Sequence, residues 1–155
     1  MGIEIERKFL LKNMDWRQQV IESRRILQGY LTLNAGKSSV RVRLDGERAN
    51  INIKSRELAI SRQEYEYSIP QADAHIMLET LCDGVVKKIR HIVKYQGAIW
   101  EIDEFSGENA GLIVAEIELQ SEDAEFATAD WLGSEVSDEA RYYNVNLIDH
   151  PYSHW

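Results

Sequence analysis

The sequence predicts a mainly β fold of the α+β class, an eight-stranded antiparallel barrel (a tunnel) with a charged lumen and helices packed outside. Three observations predict it. Eight segments alternate apolar and polar residues with a period of two, the mark of strands with two unlike faces. Their connections are short and carry turn residues, and only two prolines and nine glycines occur in 155 residues, too few for a linker-rich chain. On most strands the polar face carries charges spaced two apart.

Residues 2–11 form the first strand, with Glu4, Glu6 and Lys8 on one face and Ile3, Ile5 and Phe9 on the other. Residues 13–24 are expected to be a helix capped by Asn13, because Trp16 and Val20 stand at helical spacing. Residues 27–33 read as a strand, with a turn over Asn34-Ala35-Gly36-Lys37. Across 39–44, Val40, Val42 and Leu44 oppose Arg41 and Arg43, and Asp45-Gly46 marks a hairpin. Residues 50–54 set Ile51 and Ile53 against Asn50, Asn52 and Lys54, and residues 63–69 set Tyr65, Tyr67 and Ile69 against Glu64 and Glu66.

A second helix is expected over 71–83, with Gly84 as its stop. In 86–95, Lys88 and Arg90 oppose Ile89 and Val93. In 99–105, Glu101 and Asp103 oppose Trp100 and Ile102, and in 114–119, Glu116 and Glu118 oppose Ala115, Ile117 and Leu119. A third helix is expected over 121–133, capped by Ser121, and a short one near 137–144. No repeat or linker divides the chain, so residues 1–155 are expected to form a single domain.

Eight strands with short connections suggest closure into a barrel. The apolar faces need helices or a partner to cover them, which turns the charged faces inward around a polar lumen. The plain alternative is that these strands show polar faces to bulk water, as antiparallel sheets often do. The recurrence of charge doublets on most strands argues for the lumen. Clustered Arg and Lys suit phosphate oxygens, and clustered carboxylates suit a hard divalent cation. A cavity with both fits a metal–polyphosphate complex.

The net charge of −8 disfavours a nucleic-acid partner. No apolar run approaches the roughly 20 residues of a membrane span, so no membrane partner is expected. Cys82 has no disulfide partner within the chain, and the charged first strand leaves no room for a signal peptide. Both point to the cytoplasm. No Gly-rich phosphate loop is present, and His75, His91, His150 and His154 lack companions at zinc spacing.

Taken in order, Glu4-x-Glu6-x-Lys8, Gln28-Gly29-Tyr30-Leu31, Arg41-x-Arg43, Lys54, Glu64-x-Glu66, Lys88-x-Arg90, Trp100-Glu101-Ile102-Asp103 and Glu116-x-Glu118 resemble the CYTH superfamily, the triphosphate tunnel metalloenzymes. Trp131-Leu132-Gly133, Glu135-Val136 and Tyr142-x-Asn144 extend the likeness. The resemblance implies a triphosphate substrate with Mg2+ or Mn2+ as cofactor. It implies metal ligands at Glu4, Glu6, Glu116 and Glu118, and substrate ligands at Lys8, Arg41, Arg43, Lys54, Lys88 and Arg90. Of these, Lys8, Lys88 and Arg90 are the catalytic candidates. Glu64, Glu66, Glu101 and Asp103 become inner-wall residues or ligands of a second ion.

The Gln28–Leu31 stretch is most similar to the bacterial tripolyphosphatase-like group, which implies hydrolysis of inorganic tripolyphosphate to pyrophosphate and phosphate. The alternatives are a class IV-type adenylate cyclase, a thiamine or nucleoside triphosphatase, and a polyphosphate-binding module without turnover. Class IV cyclases carry a His-Phe-Asp-type element absent from this chain. The apolar outer faces also allow a homodimer.

Overall fold

The computed structural model describes residues 2–32 and 36–155. Leu33, Asn34 and Ala35, within the expected end of one strand and the turn after it, lie outside the described residues.

Among the described residues nine strands form one antiparallel sheet: β1 (Ile3–Leu11), β2 (Val20–Tyr30), β3 (Ser38–Asp45), β4 (Arg48–Ser55), β5 (Ser61–Ser68), β6 (Val85–Tyr95), β7 (Ala98–Phe105), β8 (Ile113–Glu118) and β9 (Leu132–Glu135). Hydrogen bonding runs β5-β4-β3-β2-β6-β7-β8-β1, and β1 pairs again with β5, so eight strands close into a barrel. The closing seam is short: Ile3 faces Gln63, Glu4 faces Arg62, and Ile5 faces Ser61. Farther along the same edge of β1, the short β9 pairs at Phe9 and Leu11.

Two expected helices do not form. Residues 13–24 hold one 3-10 turn, Asp15–Gln19, which drops Trp16 fully into the core, and then β2 begins at Val20. The helical spacing of Trp16 and Val20 loses to pairing. β6 is eleven residues long, and the stretch from Val20 to Gly29 supplies its ladder partner. Residues 121–133 run irregularly over the barrel wall and end in β9. Phe126 and Trp131 would point roughly 140° apart on a helix at about 100° per residue. In the irregular chain both meet Trp100, edge to face at 5.5 and 5.7 Å between ring centres. The helix expected over 71–83 does form as α1 (Gln71–Thr80), and the tail holds a 3-10 turn at Ala140–Tyr142 and the short α2 (Asn146–Asp149).

The packing explains why charge points inward. The outer faces of β1, β7 and β8 bury Phe9, Trp100 and Ile117 beneath Ala129 and Trp131. The outer faces of β3 and β4 bury Val42, Leu44 and Ala49 beneath Ala74 and Leu78, which belong to α1. One part of the interior departs from the expectation. Val86, Phe105 and Val114 share the inward faces of Lys88, Asp103 and Glu116, yet they are apolar and pack on Val136, Tyr142 and Leu147. The C-terminal segment thus plugs one end of the barrel with a hydrophobic cluster. Among the described residues no helix is long and apolar enough to cross a membrane.

Gly29 sits where β2 passes beneath the end of α1. A Cβ there would lie 2.9 Å from Cys82 Cβ and Sγ and 3.0 Å from Leu78 Cδ2. Gly29→Ala is expected to cost about 1–3 kcal/mol by overpacking. Chemical denaturation should show a lower midpoint with an unchanged slope.

Candidate active site

Strand alternation delivers the charges to one cavity of about 670 Å3. Its wall includes all six predicted bases, Lys8, Arg41, Arg43, Lys54, Lys88 and Arg90. It also includes seven of the eight predicted acids, Glu4, Glu6, Glu64, Glu66, Glu101, Glu116 and Glu118. Asp103 lies behind the wall, fully buried.

Most of these groups are paired. Lys8 Nζ donates to Glu6 Oε1 at 3.1 Å and to Glu116 Oε2 at 2.7 Å. Lys54 Nζ lies 2.8 Å from Glu4 Oε2 and 3.4 Å from Glu64 Oε2. Asp103 accepts from Arg90 Nε at 2.7 Å, from Arg90 Nη2 at 2.8 Å and from Lys88 Nζ at 2.7 Å. Arg90 also reaches Glu101 and Glu116, both at 3.0 Å.

Arg41 and Arg43 differ. Among the described residues neither has a carboxylate partner. Arg43 donates to the neutral Gln28 Oε1, from Nε at 3.2 Å and from Nη2 at 2.9 Å. Arg41 is buried, and its Nε has no hydrogen-bond acceptor. Two guanidinium groups on β3 therefore face the cavity without a carboxylate partner, and Asp103 offsets the Arg43 charge only from a distance.

Several wall residues escaped the sequence reading as site residues. Arg62 lines the cavity opposite Glu4, 3.8 Å from its Oε2, one residue before the expected start of its strand. Arg24 pairs with Asp45 at 2.7 Å, also on the wall; the helix expected over 13–24 hid it. Tyr143 and Asn144 enter from the C-terminal segment. The Tyr143 ring lies 5.6 Å from Lys8 Nζ and 4.9 Å from the Arg62 guanidinium carbon, within cation–π range. Asn144 Oδ1 accepts from Lys88 Nζ at 2.8 Å.

A family model, the CYTH domain, matches residues 2–152. The chain belongs to the CYTH family. An inorganic triphosphatase of Acetivibrio thermocellus is 42% identical to this CYTH chain over 156 residues, covering 100% of it and 99% of the relative. An inorganic triphosphatase of Nitrosomonas europaea is 35% identical over 148 residues, covering 93% and 95%. A crystal structure of an inorganic triphosphatase superposes with a TM-score of 0.69 at 32% identity, covering 94% of this chain and 93% of that one.

The CYTH barrel concentrates negative charge along β1 and β8. Burial and the neighbouring Glu116 push the Glu6 carboxyl well above the ordinary range. Glu116 would also rise by burial, but Lys8 and Arg90 hold it well below that range. Burial raises Glu118 too, with Glu4, Glu64 and Glu101 adding to the shift. Such a surplus of carboxylate oxygens suits a hard divalent cation. Glu4 is already neutralised by Lys54, 2.8 Å from its Oε2, so a cation there would share the carboxylate with that ammonium. Among the described residues no three acidic, His or Cys groups are set to hold one ion. Lys8 stands between Glu6 and Glu116, and Lys54 between Glu4 and Glu64.

On the opposite wall of the CYTH cavity the surplus is positive. Burial, with Arg41 and Arg90 nearby, pushes the Arg43 guanidinium down to about 10. Burial pushes Lys88 down to about 7; Asp103 opposes the shift, while Arg90 and Arg43 add to it. Free protein should therefore lose the Lys88 proton as pH rises through 7, and a polyanion should restore it. Calorimetric titration with tripolyphosphate near pH 8, in buffers of different ionisation enthalpy, is expected to show net proton uptake. Affinity should weaken as pH rises above 7.

Proposed function

We propose that this protein is a divalent-metal-dependent inorganic triphosphatase that hydrolyses tripolyphosphate to pyrophosphate and phosphate. One observation carries the reading: Arg41 and Arg43 face a polar cavity and, among the described residues, neither is paired with a carboxylate. Buried cations without counter-charge are costly, and a polyanion supplies the missing charge. The two relatives named inorganic triphosphatase, alike over nearly the full chain, support the same substrate class.

In this reading Arg41, Arg43 and Lys54 clamp phosphate oxygens. Lys8, Lys88 and Arg90 stabilise charge on the leaving pyrophosphate as water attacks a terminal phosphorus and its bridging P–O bond breaks. Glu4, Glu6, Glu116 and Glu118 would hold Mg2+ or Mn2+, which when bound neutralises phosphate oxygens. Glu64, Glu66 and Glu101 line the remaining wall; Asp103 serves as the fixed counter-ion of Arg90 and Lys88. The protein acts in the cytoplasm, without a nucleic-acid or membrane partner. The exposed outer residues Ile3, Tyr65 and Tyr67 offer a surface for a homodimer.

The test is incubation with tripolyphosphate and Mg2+ or Mn2+. Equal release of phosphate and pyrophosphate, abolished by chelator, is the expected result. Tight binding without product would make the protein a binding module, and cyclic AMP from ATP would make it a cyclase. No thermal shift with ligand at about 100 times a working dissociation constant, where roughly 2.7 kcal/mol is expected, would leave only a structural β domain.

A further inference from the structure

Gln28 on β2 is completely buried and links both ends of a hydrogen-bonded chain across the cavity wall. Its Oε1 accepts from Arg43, and its Nε2 donates to Asn144 Oδ1 at 3.0 Å and to Tyr30 Oη at 3.3 Å. Asn144 Oδ1 also accepts from Lys88 Nζ at 2.8 Å. The partners fix the orientation of both amides. Arg and Lys can only donate, so each must face a carboxamide oxygen, and the Gln28 amide nitrogen is left to donate to Asn144.

Neutral acceptors are an unexpected choice here. Lys8, Lys54 and Arg90 all rest on carboxylates. Among the described residues Arg43 is held by an amide alone, and Lys88 by an amide in addition to Asp103. A carboxylate at Gln28 would hold Arg43 just as firmly, but it would cancel the charge. An amide fixes direction and leaves the charge unspent.

We propose that Gln28 and Asn144 are positioning residues, a neutral relay that aims Arg43 and Lys88 into the cavity, leaving the Arg43 charge available to the polyanion and adding none to the Asp103 already beside Lys88. The proposal rests on the polyphosphate reading above. It also gives the C-terminal segment a part in the site, since Asn144 comes from beyond the barrel strands.

Gln28→Glu and Asn144→Asp keep the shape and the acceptor oxygen but add a charge; Gln28→Glu also gives up the donor to Asn144, so Asn144→Asp is the cleaner charge probe. Gln28→Leu removes the acceptor without adding a charge. Binding is measured by calorimetry with tripolyphosphate and turnover by phosphate release, with melting temperatures alongside. Both acidic variants are expected to raise Kd and KM roughly tenfold or more, with Asn144→Asp melting at or above the wild-type temperature. Gln28→Leu is expected to lower kcat/KM about tenfold or more. A purely structural role predicts that the acidic variants bind as wild type does, and that result overturns the proposal. Wild-type kinetics in Gln28→Leu overturn it as well. Asn144 is only half-buried and lies outside the barrel strands, so Asn144→Asp keeps the test open if a Gln28 variant fails to fold. Wild-type protein that binds tripolyphosphate without cleaving it would refute the hydrolase reading alone, with the relay still decided by the variants' Kd. Wild-type protein that does not bind it refutes both.

Discussion

Asp103→Asn is expected to lower the melting temperature by roughly 6–20 °C. The carboxylate is wholly buried and is the shared counter-ion of Arg90 and Lys88, through three hydrogen bonds of 2.7–2.8 Å. Removing one partner of a buried ion pair costs about 3–5 kcal/mol, because the remaining charge stays in a poor solvent. For a chain of this size each kcal/mol shifts melting by roughly 2–4 °C. The Asn substitution leaves no void, so the loss reports charge and hydrogen bonding rather than packing. Burial alone would raise this carboxyl, yet Arg90 and Lys88 hold it below its ordinary value of 3.8. Its stabilising contribution is therefore complete above pH 3.8 and is lost as pH falls through the lowered value. Calorimetric scans of wild type and variant should differ at neutral pH and converge as the pH falls through the lowered Asp103 value. Tripolyphosphate should recover part of the variant's loss by supplying negative charge beside the same two cations.

Arg43→Ala is expected to reduce kcat/KM for tripolyphosphate by about 30- to 1000-fold, the roughly 2–4 kcal/mol given by one preorganised donor in a site shielded from water. Stability should change little or rise, since the guanidinium is a charge without a carboxylate partner. Titration with Mn2+ alone should match wild type, because the clustered carboxylates of β1 and β8 are untouched. Arg43→Lys should restore only part of the activity. A single ammonium cannot make the two-pronged contact with Gln28 Oε1 and still present a fork to phosphate. Loss of Mn2+ binding in Arg43→Ala, or full turnover, would contradict the division of the cavity into basic and acidic walls.

Much of the site was legible because strand geometry is a two-valued code. Once Glu4, Glu6 and Lys8 share a face, alternation alone assigns that face, and the same rule places Arg41 with Arg43 and Lys88 with Arg90. What alternation does not encode is how far a strand runs. Arg24 lay within a stretch whose local spacing favours a helix, and only the length of β6 draws that stretch into the sheet. Arg62 was missed by one residue, a common scale of boundary error. The irregular run before β9 follows from the outer aromatic cluster, whose members are distant in sequence. Tyr143 and Asn144 carry no strand pattern. Their place depends on where the tail docks, which is set by contacts between Tyr142 and Leu147 and the apolar rim of the barrel. That rim was itself visible, as Val86, Phe105 and Val114 on inward positions, but in a reading centred on charge an apolar inward residue had no role.

The greasy stopper formed by those side chains has a kinetic meaning. Cavity residues such as Glu47, Arg48 and Ser68 are exposed, so solvent reaches the chamber on their side. The apolar cluster occupies the opposite end, so traffic into and out of the chamber is expected to share the doorway on the exposed side. In the proposed hydrolysis, pyrophosphate leaving this arginine-lined chamber would obstruct the next arrival, and traffic through that doorway would set the pace once the chemistry is fast.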